Sequence, residues 1–236
     1  MSMTERIAPA SHRTLAPQEI GAWFDLQRAT VERLDPSWLP SLAGELVVEA
    51  RKTPTGRRWL AEQLRSVTPL LFALPCRDGA ASAHRLYHLR WFGGVLREPQ
   101  ERALDLGSIL LAARLRTVVG RSAVTHLRRM LGVERYERAL TASLADVAAP
   151  AVPRASMQTS DEADVLMRQV LRHGAHELAA YAAHLHPAFA QSVKLSFERD
   201  WWWRPYPATL HPDTVAACLG LSDSSGQRLT ASEGNA

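Results

Sequence analysis

The sequence is poor in cysteine and in uncharged apolar stretches, and both shortages limit what the protein can be. Its only cysteines are Cys76 and Cys218. Two thiols so far apart argue against a disulfide framework and indicate a reducing compartment. No stretch of 18 residues is free of charged side chains, so we expect no transmembrane helix. The opening MSMTERIAPA lacks the apolar segment of a secretory signal. These features predict a cytoplasmic protein.

Motifs for catalysis and phosphate binding are also missing. The chain has no G-x-S-x-G nucleophile turn, no G-x-x-x-x-G-K-[ST] phosphate loop and no G-x-G-x-x-G turn. Carboxylates are few in the middle of the chain and are not paired on an apolar background, as acid–base catalysis would require. We therefore predict that the protein is not an enzyme and has neither catalytic residues nor a cofactor site.

One histidine cluster is the best candidate for a metal site. His173 and His176 are three residues apart on a predicted helix, with Glu177 next to them and His184 and His186 downstream. This spacing allows a shared helix face. The order of residues, however, is neither the HExxH motif of zinc proteases nor its inverse HxxEH. We predict no metal here.

Lysine is nearly absent, and arginine carries most of the positive charge. Lys52 and Lys194 are the only lysines among 28 basic residues. Between Arg51 and Arg138 there are 17 basic and 7 acidic side chains, whereas the remainder of the chain has 11 and 17. A basic middle with acidic flanks predicts an acidic partner, either protein or nucleic acid. An alanine- and arginine-rich composition also arises in a GC-rich genome without any binding role.

Helical periodicity dominates the chain, and runs of alternating apolar and polar residues are rare. We predict an all-α protein of about nine to ten helices in two packed blocks, without significant sheet. The N-terminal block is residues 1–147, the linker 148–159 and the C-terminal block 160–220, and a disordered tail covers 221–236. The predicted helices begin at Pro17, after Ser37 or Pro40, at Thr53-Pro54, at Ser82, at Pro99, at Ser122, at Val133, at Ser160 and near Phe189.

The clearest pattern lies between Leu104 and Leu140. Apolar residues recur at helical spacing, which predicts one long fifth helix from Pro99 to Val119. Four arginines in this region are the predicted contacts to an acidic partner, namely Arg114, Arg121, Arg128 and Arg129. The segment also resembles a helix-turn-helix, but Gly120 follows Ala113 by seven positions, whereas the motif usually has about four. A helical nucleic-acid-binding regulator acting through the Arg-rich region 102–138 remains the alternative.

Three consecutive tryptophans, Trp201, Trp202 and Trp203, form the second candidate surface. Neighbouring side chains diverge on a helix or a strand, so the three rings cannot all enter one core. At least one ring is expected to cap the core and at least one to lie at the surface. Because tryptophan is common in binding hot spots, we predict that Trp202 or Trp203 contacts a protein partner. The alternative is that all three pack at the edge of the domain.

Several short segments resemble the SctK (YscK-like) accessory proteins of bacterial type III secretion systems. Asp35-Pro36-Ser37-Trp38-Leu39-Pro40 is similar to a Trp/Leu-Pro segment near the start of that family. A central Leu-Gly helix is matched by Leu106-Gly107, Leu110, Arg114, Arg116, Val119 and His126-Leu127. The C-terminal order is matched by Gly174, Leu178-Ala179, Pro187 and Lys194-Leu195. Together these segments span about two thirds of the chain.

The resemblance implies a non-enzymatic helical adaptor of the cytosolic sorting platform. Members of this family link the SctD-like inner-membrane ring protein to the SctQ-like pod protein. An SctL-like stator and the ATPase belong to the same assembly. The resemblance also implies docking at the cytosolic face of the inner membrane and no direct membrane insertion. No cofactor and no nucleic acid are expected among its ligands.

Overall fold

The computed structural model describes residues 17–72, 98–142, 159–203 and 208–220, and within these ranges the protein is all-α, as predicted. They form eleven α-helices, two 3-10 helices and no strand. The α-helices are α1 (Pro17–Glu32), α2 (Gly44–Lys52), α3 (Pro54–Arg65), α4 (Pro69–Phe72), α5 (Pro99–Leu110), α6 (Ala112–Leu115), α7 (Arg121–Leu131), α8 (Val133–Thr141), α9 (Ser160–Leu185), α10 (Pro187–Leu195) and α11 (Pro212–Cys218). The 3-10 helices are Pro36–Trp38 and Arg199–Trp202. The predicted helix at Ser82, almost all of the linker 148–159 and the tail 221–236 lie outside the described residues.

Side-chain caps explain the helix starts that were predicted correctly. Thr53 accepts a hydrogen bond from the backbone N–H of Gly56 and starts α3. The longest helix, α9, begins with a capping box in which Thr159 and Glu162 satisfy each other's backbone N–H groups. Such caps supply partners for N–H groups that the first turn leaves unpaired. The predicted start of α9 at Ser160 and its end near Leu185 are confirmed.

Two predictions in the arginine-rich region are wrong. The expected long helix from Pro99 to Val119 breaks at Leu111, which has φ −97° and ψ 17°, and helical structure resumes only for α6. The break lies at the boundary between two cores, because Leu110 enters one core and Leu111 enters another. The expected cap at Ser122 is absent as well. The helix α7 begins at Arg121, two residues before the predicted first residue Ala123, and its N-cap is Gly120, which has no side chain to bond.

Two apolar cores hold the helices together. The first contains buried residues of α1 to α5, α10, α11 and the C-terminal half of α9. The second contains buried residues of α6, α7 and α8 and the N-terminal half of α9. Both cores draw on the predicted blocks 1–147 and 160–220, so each block buries its apolar surface against the other.

The crossing of α5 and α9 lies where the two cores meet, and it depends on two glycines. A Cβ atom on Gly107 would lie 1.8 Å from the carbonyl oxygen of Val170. One on Gly174 would lie 1.7 Å from the carbonyl oxygen of Ala103. No side chain fits at either distance, so the two backbones approach closely only because both positions are glycine.

Three hydrogen bonds join the segment before α2 to the last residue of α10 and the chain that follows it. The backbone N–H of Asp35 donates to Leu195 O at 2.8 Å. The indole Nε1–H of Trp38 donates to Phe197 O at 2.8 Å. The hydroxyl of Ser37 accepts from the backbone N–H of Arg199 at 2.8 Å. These bonds position the second 3-10 helix and the tryptophans at its end.

A buried carboxylate fastens the last described segment to α9. Glu177 is 1% exposed, and its Oε1 accepts hydrogen bonds from the N–H and the hydroxyl of Thr209, both at 2.7 Å. Its Oε2 accepts from the N–H of Leu210 at 3.2 Å. A buried carboxylate needs such donors. Glu177 is therefore a structural residue that orients α11.

Candidate interaction surfaces

The outer face of α7 carries three of the four predicted arginines. Ala123, Leu127 and Leu131 turn one face of this helix into the second core. Arg121, Arg128 and Arg129 lie on the opposite face, at spacings of seven and eight residues, and all are exposed. We call these three residues the α7 basic face.

The three arginines of the α7 basic face differ in what they contact. Arg128 pairs with Glu137 of α8 at 2.9 Å, which neutralises part of its charge. Arg129 donates to Nδ1 of His126 at 3.2 Å. Arg121 makes no side-chain hydrogen bond or ion pair with any residue in the described ranges. Arg121 and Arg129 are therefore the members of this face without a carboxylate partner in the described part of the chain.

His126 connects the α7 basic face to the start of α9. Because its Nδ1 accepts from Arg129, its Nε2–H is the group that donates to Asp164, at 2.6 Å. The histidine thus holds Arg129 on one side and α9 on the other. No local spacing in the sequence indicates this contact, because 38 residues separate His126 from Asp164.

The fourth predicted arginine, Arg114, lies elsewhere. It is on α6 and half-buried, and it donates to the side-chain oxygen of Gln169 on α9. Burial lowers the pKa of its guanidinium from the ordinary value. Arg114 therefore belongs with the surface of α9 and is not part of the α7 basic face.

Other arginines of the region 102–138 stabilise the fold. Arg135 pairs with Asp105 at 2.7 Å and with Glu101 at 2.8 Å, and it joins α8 to α5. Arg116 donates to carbonyl oxygens at the C-terminal end of α8, including that of Leu140 at 2.8 Å. The region is consequently less available to an external polyanion than its charge count indicates.

The three tryptophans divide between core and surface, and this prediction is confirmed. Trp201 is 6% exposed and stacks on Phe197 with ring centroids 5.7 Å apart. Its Nε1–H donates to Glu198 at 3.1 Å. Trp203 is 76% exposed and ends the second 3-10 helix. We call residues 198–203 the tryptophan turn.

Trp202 is half-buried. Its ring lies 4.6 Å from the ring of His176 and 6.5 Å from that of Phe197. The ammonium group of Lys194 lies 5.6 Å from its centroid, within the range of a cation–π contact. Of the two tryptophans predicted to contact a partner, Trp203 is thus the one whose ring is open to solvent.

Two histidines of the candidate metal site, His176 and His186, have structural contacts. The ring of His186 accepts the backbone N–H of Ala188 and so starts α10. His176 donates its Nε2–H to Trp201 O at 3.1 Å, and burial, assisted by the charge of Arg172, lowers its pKa to about 4. In the parts of the chain that the structure describes, no group of three or more His, Cys, Asp or Glu side chains is placed to hold a metal ion.

Comparison with known proteins does not place the chain in a family. No protein-family model, curated protein or solved structure matches it. The likeness to the SctK family therefore remains a resemblance carried by the residues quoted above. Across the described ranges, no helix has both the length and the apolar character needed to cross a bilayer.

Proposed function

We propose that this protein is a non-enzymatic adaptor of a bacterial type III secretion system. It links the SctD-like inner-membrane ring protein to the SctQ-like pod protein, with the SctL-like stator and the ATPase in the same assembly. It works at the cytosolic face of the inner membrane, without inserting into it. Two kinds of observation support this proposal. Some residues of the SctK resemblance contact one another, and two exposed surfaces, the α7 basic face and the tryptophan turn, are available to partners.

The main support for the proposal is that some residues of the SctK resemblance that are distant in the sequence are in contact in the structure. Gly107 and Gly174 are 67 positions apart in the sequence, and they face each other where α5 crosses α9. The Asp35–Pro40 segment is bonded to the chain at Leu195. Gly107, Gly174 and the Asp35–Pro40 segment thus form contacts that join the helices, whereas Val119 of the same resemblance is exposed. The contacts of the first three support a shared scaffold.

Two separate surfaces suit the two partners that an adaptor must hold. The α7 basic face offers positive charge, with Val119 and Val133 exposed by 68% and 51% at the two ends of the helix. The tryptophan turn offers the ring of Trp203. Exposed aromatic and arginine side chains are the types that dominate binding hot spots. We assign an acidic partner surface to the first and an apolar pocket to the second.

Charge reversal tests the α7 basic face. The variant Arg121→Glu/Arg129→Glu should weaken binding to one of the two purified partners by about tenfold or more, because close charge pairs at an interface become repulsive. Arg58→Glu is the matched control, since Arg58 is an exposed arginine on α3. Isothermal titration with each partner measures the change. Equal affinities for the reversed and control variants would contradict the assignment.

Alanine substitution tests Trp203. Because its ring is 76% exposed, Trp203→Ala should leave the free energy of unfolding within about 0.5 kcal/mol and yet weaken binding to one partner. Trp201→Ala should instead cost about 3–5 kcal/mol of stability, because that ring is buried. Phe24→Ala, at a 55% exposed aromatic on α1, is the control for binding. Normal binding by Trp203→Ala would remove this ring from the interface.

Binding of the purified protein to duplex DNA tests the alternative function, a nucleic-acid-binding regulator. Phosphate contacts by Arg121 and Arg129 would make binding to duplex DNA weaken steeply with salt. The adaptor function predicts no such binding. A titration with duplex DNA at about 50 and 200 mM salt distinguishes the two.

A further inference from the structure

A chain of hydrogen bonds runs from the start of α9 to the α7 basic face through one histidine. The Nε2–H of His126 donates to Asp164 at 2.6 Å, and its Nδ1 accepts from Nη2 of Arg129 at 3.2 Å. His126 precedes Arg129 by three residues, so the two side chains share one face of α7. Both helices also contribute buried side chains to the second core, among them Leu127 and Leu166. The three polar groups are therefore held on two helices that pack together.

This arrangement requires one particular form of the imidazole ring of His126. A guanidinium has donors and no acceptor, so Nδ1 must present a lone pair to Arg129. The proton of the neutral ring is then on Nε2, and the carboxylate of Asp164 accepts it. Asp164 therefore selects the form of His126 that can hold Arg129.

The members of this chain differ in exposure, and the difference suits a positioning role. The side chain of His126 is 17% exposed, whereas that of Asp164 is 57% exposed. Arg129 is exposed, and the ring uses only one of its five N–H donors. A partly buried ring thus fixes one end of the guanidinium, while the other donors are left for solvent or a partner.

Fixing the guanidinium lowers what Arg129 loses when it enters an interface. A free arginine side chain samples many rotamers, and an interface must immobilise it at an entropic cost. The bond to His126 restricts those rotamers before a partner binds, so less freedom is lost on binding. The cost avoided corresponds to about a two- to tenfold change in the dissociation constant.

We propose that His126 and Asp164 are positioning residues of the α7 basic face. Asp164 fixes the ring of His126, and the ring holds Arg129 in the orientation that binds a carboxylate of the acidic partner. The inference rests on the adaptor function proposed above, and it names the residues that prepare its basic surface.

Charge alone predicts the opposite effect of Asp164. A carboxylate beside a basic surface weakens the attraction of that surface for an acidic partner. Removing Asp164 would therefore strengthen binding if its charge were what mattered. If Asp164 positions His126, its removal weakens binding instead, and the sign of the change distinguishes the two.

Substitutions of His126 separate positioning from general stability. The amide of His126→Gln reaches the place of Nε2, so the bond to Asp164 is kept while the acceptor for Arg129 is lost. We expect this variant to unfold at the same urea concentration as the parent. It should bind about two- to tenfold more weakly to whichever purified protein, the SctD-like cytoplasmic domain or the SctQ-like pod protein, loses affinity for Arg121→Glu/Arg129→Glu. His126→Asn, whose amide oxygen lies near the place of Nδ1, should restore part of the affinity.

Substitutions of Asp164 separate positioning from charge. Asp164→Ala removes the acceptor and should weaken binding, although it also removes a negative charge. Asp164→Asn keeps an acceptor for the Nε2–H of His126 and should bind at least as tightly as the parent. Asp161→Ala is the matched control, since Asp161 is an exposed carboxylate in the first turn of α9. Tighter binding by Asp164→Ala, as expected for Asp161→Ala, would overturn the proposal.

A double-mutant cycle measures whether His126 acts through Arg129. In the Arg129→Ala background, His126→Gln should have no further effect on the affinity measured by isothermal titration of the full chain. An equal loss in both backgrounds would show that His126 acts independently of Arg129 and would overturn the proposal.

Nitrogen-15 NMR of the free protein tests the geometry without a partner. At about pH 8 the ring of His126 should carry its proton on Nε2 and a lone pair on Nδ1. A proton on Nδ1 would overturn the positioning proposal and leave the adaptor function standing, as would a parent-like affinity of His126→Gln. If the unaltered chain binds neither protein, the adaptor function fails and the positioning proposal fails with it.

Discussion

Replacing Gly107 with alanine should separate α5 from α9 and destabilise both cores. The new Cβ would lie 1.8 Å from Val170 O, whereas an ordinary carbon–oxygen contact is about 3.3 Å. The helices would have to move apart by about 1.5 Å at this point, because a helix carbonyl cannot rotate away as a flexible side chain can. Overpacking of this kind costs about 1–3 kcal/mol, and the backbone clash favours the upper end.

Alanine also has a favourable effect that must be subtracted. In a helix interior it is better than glycine by about 1 kcal/mol. The net loss in the free energy of unfolding for Gly107→Ala is therefore about 2 kcal/mol. For a chain of this size, that loss lowers Tm by about 4–8 °C.

Urea and thermal unfolding followed by circular dichroism measure this loss. Gly21→Ala is the matched control, because Gly21 is inside α1 and a Cβ there meets nothing within 4 Å. That variant should be more stable than the parent by about 0.5–1 kcal/mol. The combination of Gly107→Ala with Gly174→Ala should cost less than the sum of the two, because one displacement relieves both clashes. If Gly107→Ala behaves like Gly21→Ala, the close crossing of α5 and α9 is refuted.

Two further predictions concern buried polar groups of α9. Glu177→Gln should cost about 1.5–3 kcal/mol, because a carboxylate that accepts three hydrogen bonds is replaced by an amide. Hydrogen exchange should then accelerate at Thr209 and through α11, whereas the exposed control Glu45→Gln should leave it unchanged. His176 has its pKa lowered to about 4, so between pH 6.5 and 4 the unfolded chain binds a proton that the folded chain does not. Stability should therefore fall as the pH decreases through this range, by up to about 3 kcal/mol. Urea unfolding at pH 7.5 and 4.5 checks this, and a slope unchanged in His176→Gln would assign the effect to another group.

The features predicted well depend on signals within a few residues. The helix α9 was placed correctly because acidic residues follow its start and a proline follows its end. The three tryptophans 201–203 were expected to divide between core and surface because adjacent side chains point in different directions. No distant contact is needed for either inference.

The predicted helix from Pro99 to Val119 fails at Leu111. Periodicity from Pro99 to Val119 is compatible with one helix, and nothing local marks the break. The break lies where the two cores meet, since Leu110 belongs to one core and Leu111 to the other. Arg114, which its charge alone had grouped with the α7 basic face, lies on α6 and contacts α9.

By itself, the sequence determined the all-α class, the cap of α3, the start of α9, and the presence of an exposed tryptophan. Propensity, capping and side-chain direction act over one or two helical turns, and a single chain displays them. Only the tertiary structure decided that Gly107 meets Gly174, that Arg135 is neutralised by residues of α5, and that His126 joins Arg129 to Asp164. Those contacts join residues some 30 or more positions apart or depend on how separate helices pack, and that packing is set by the shape and volume of both cores together.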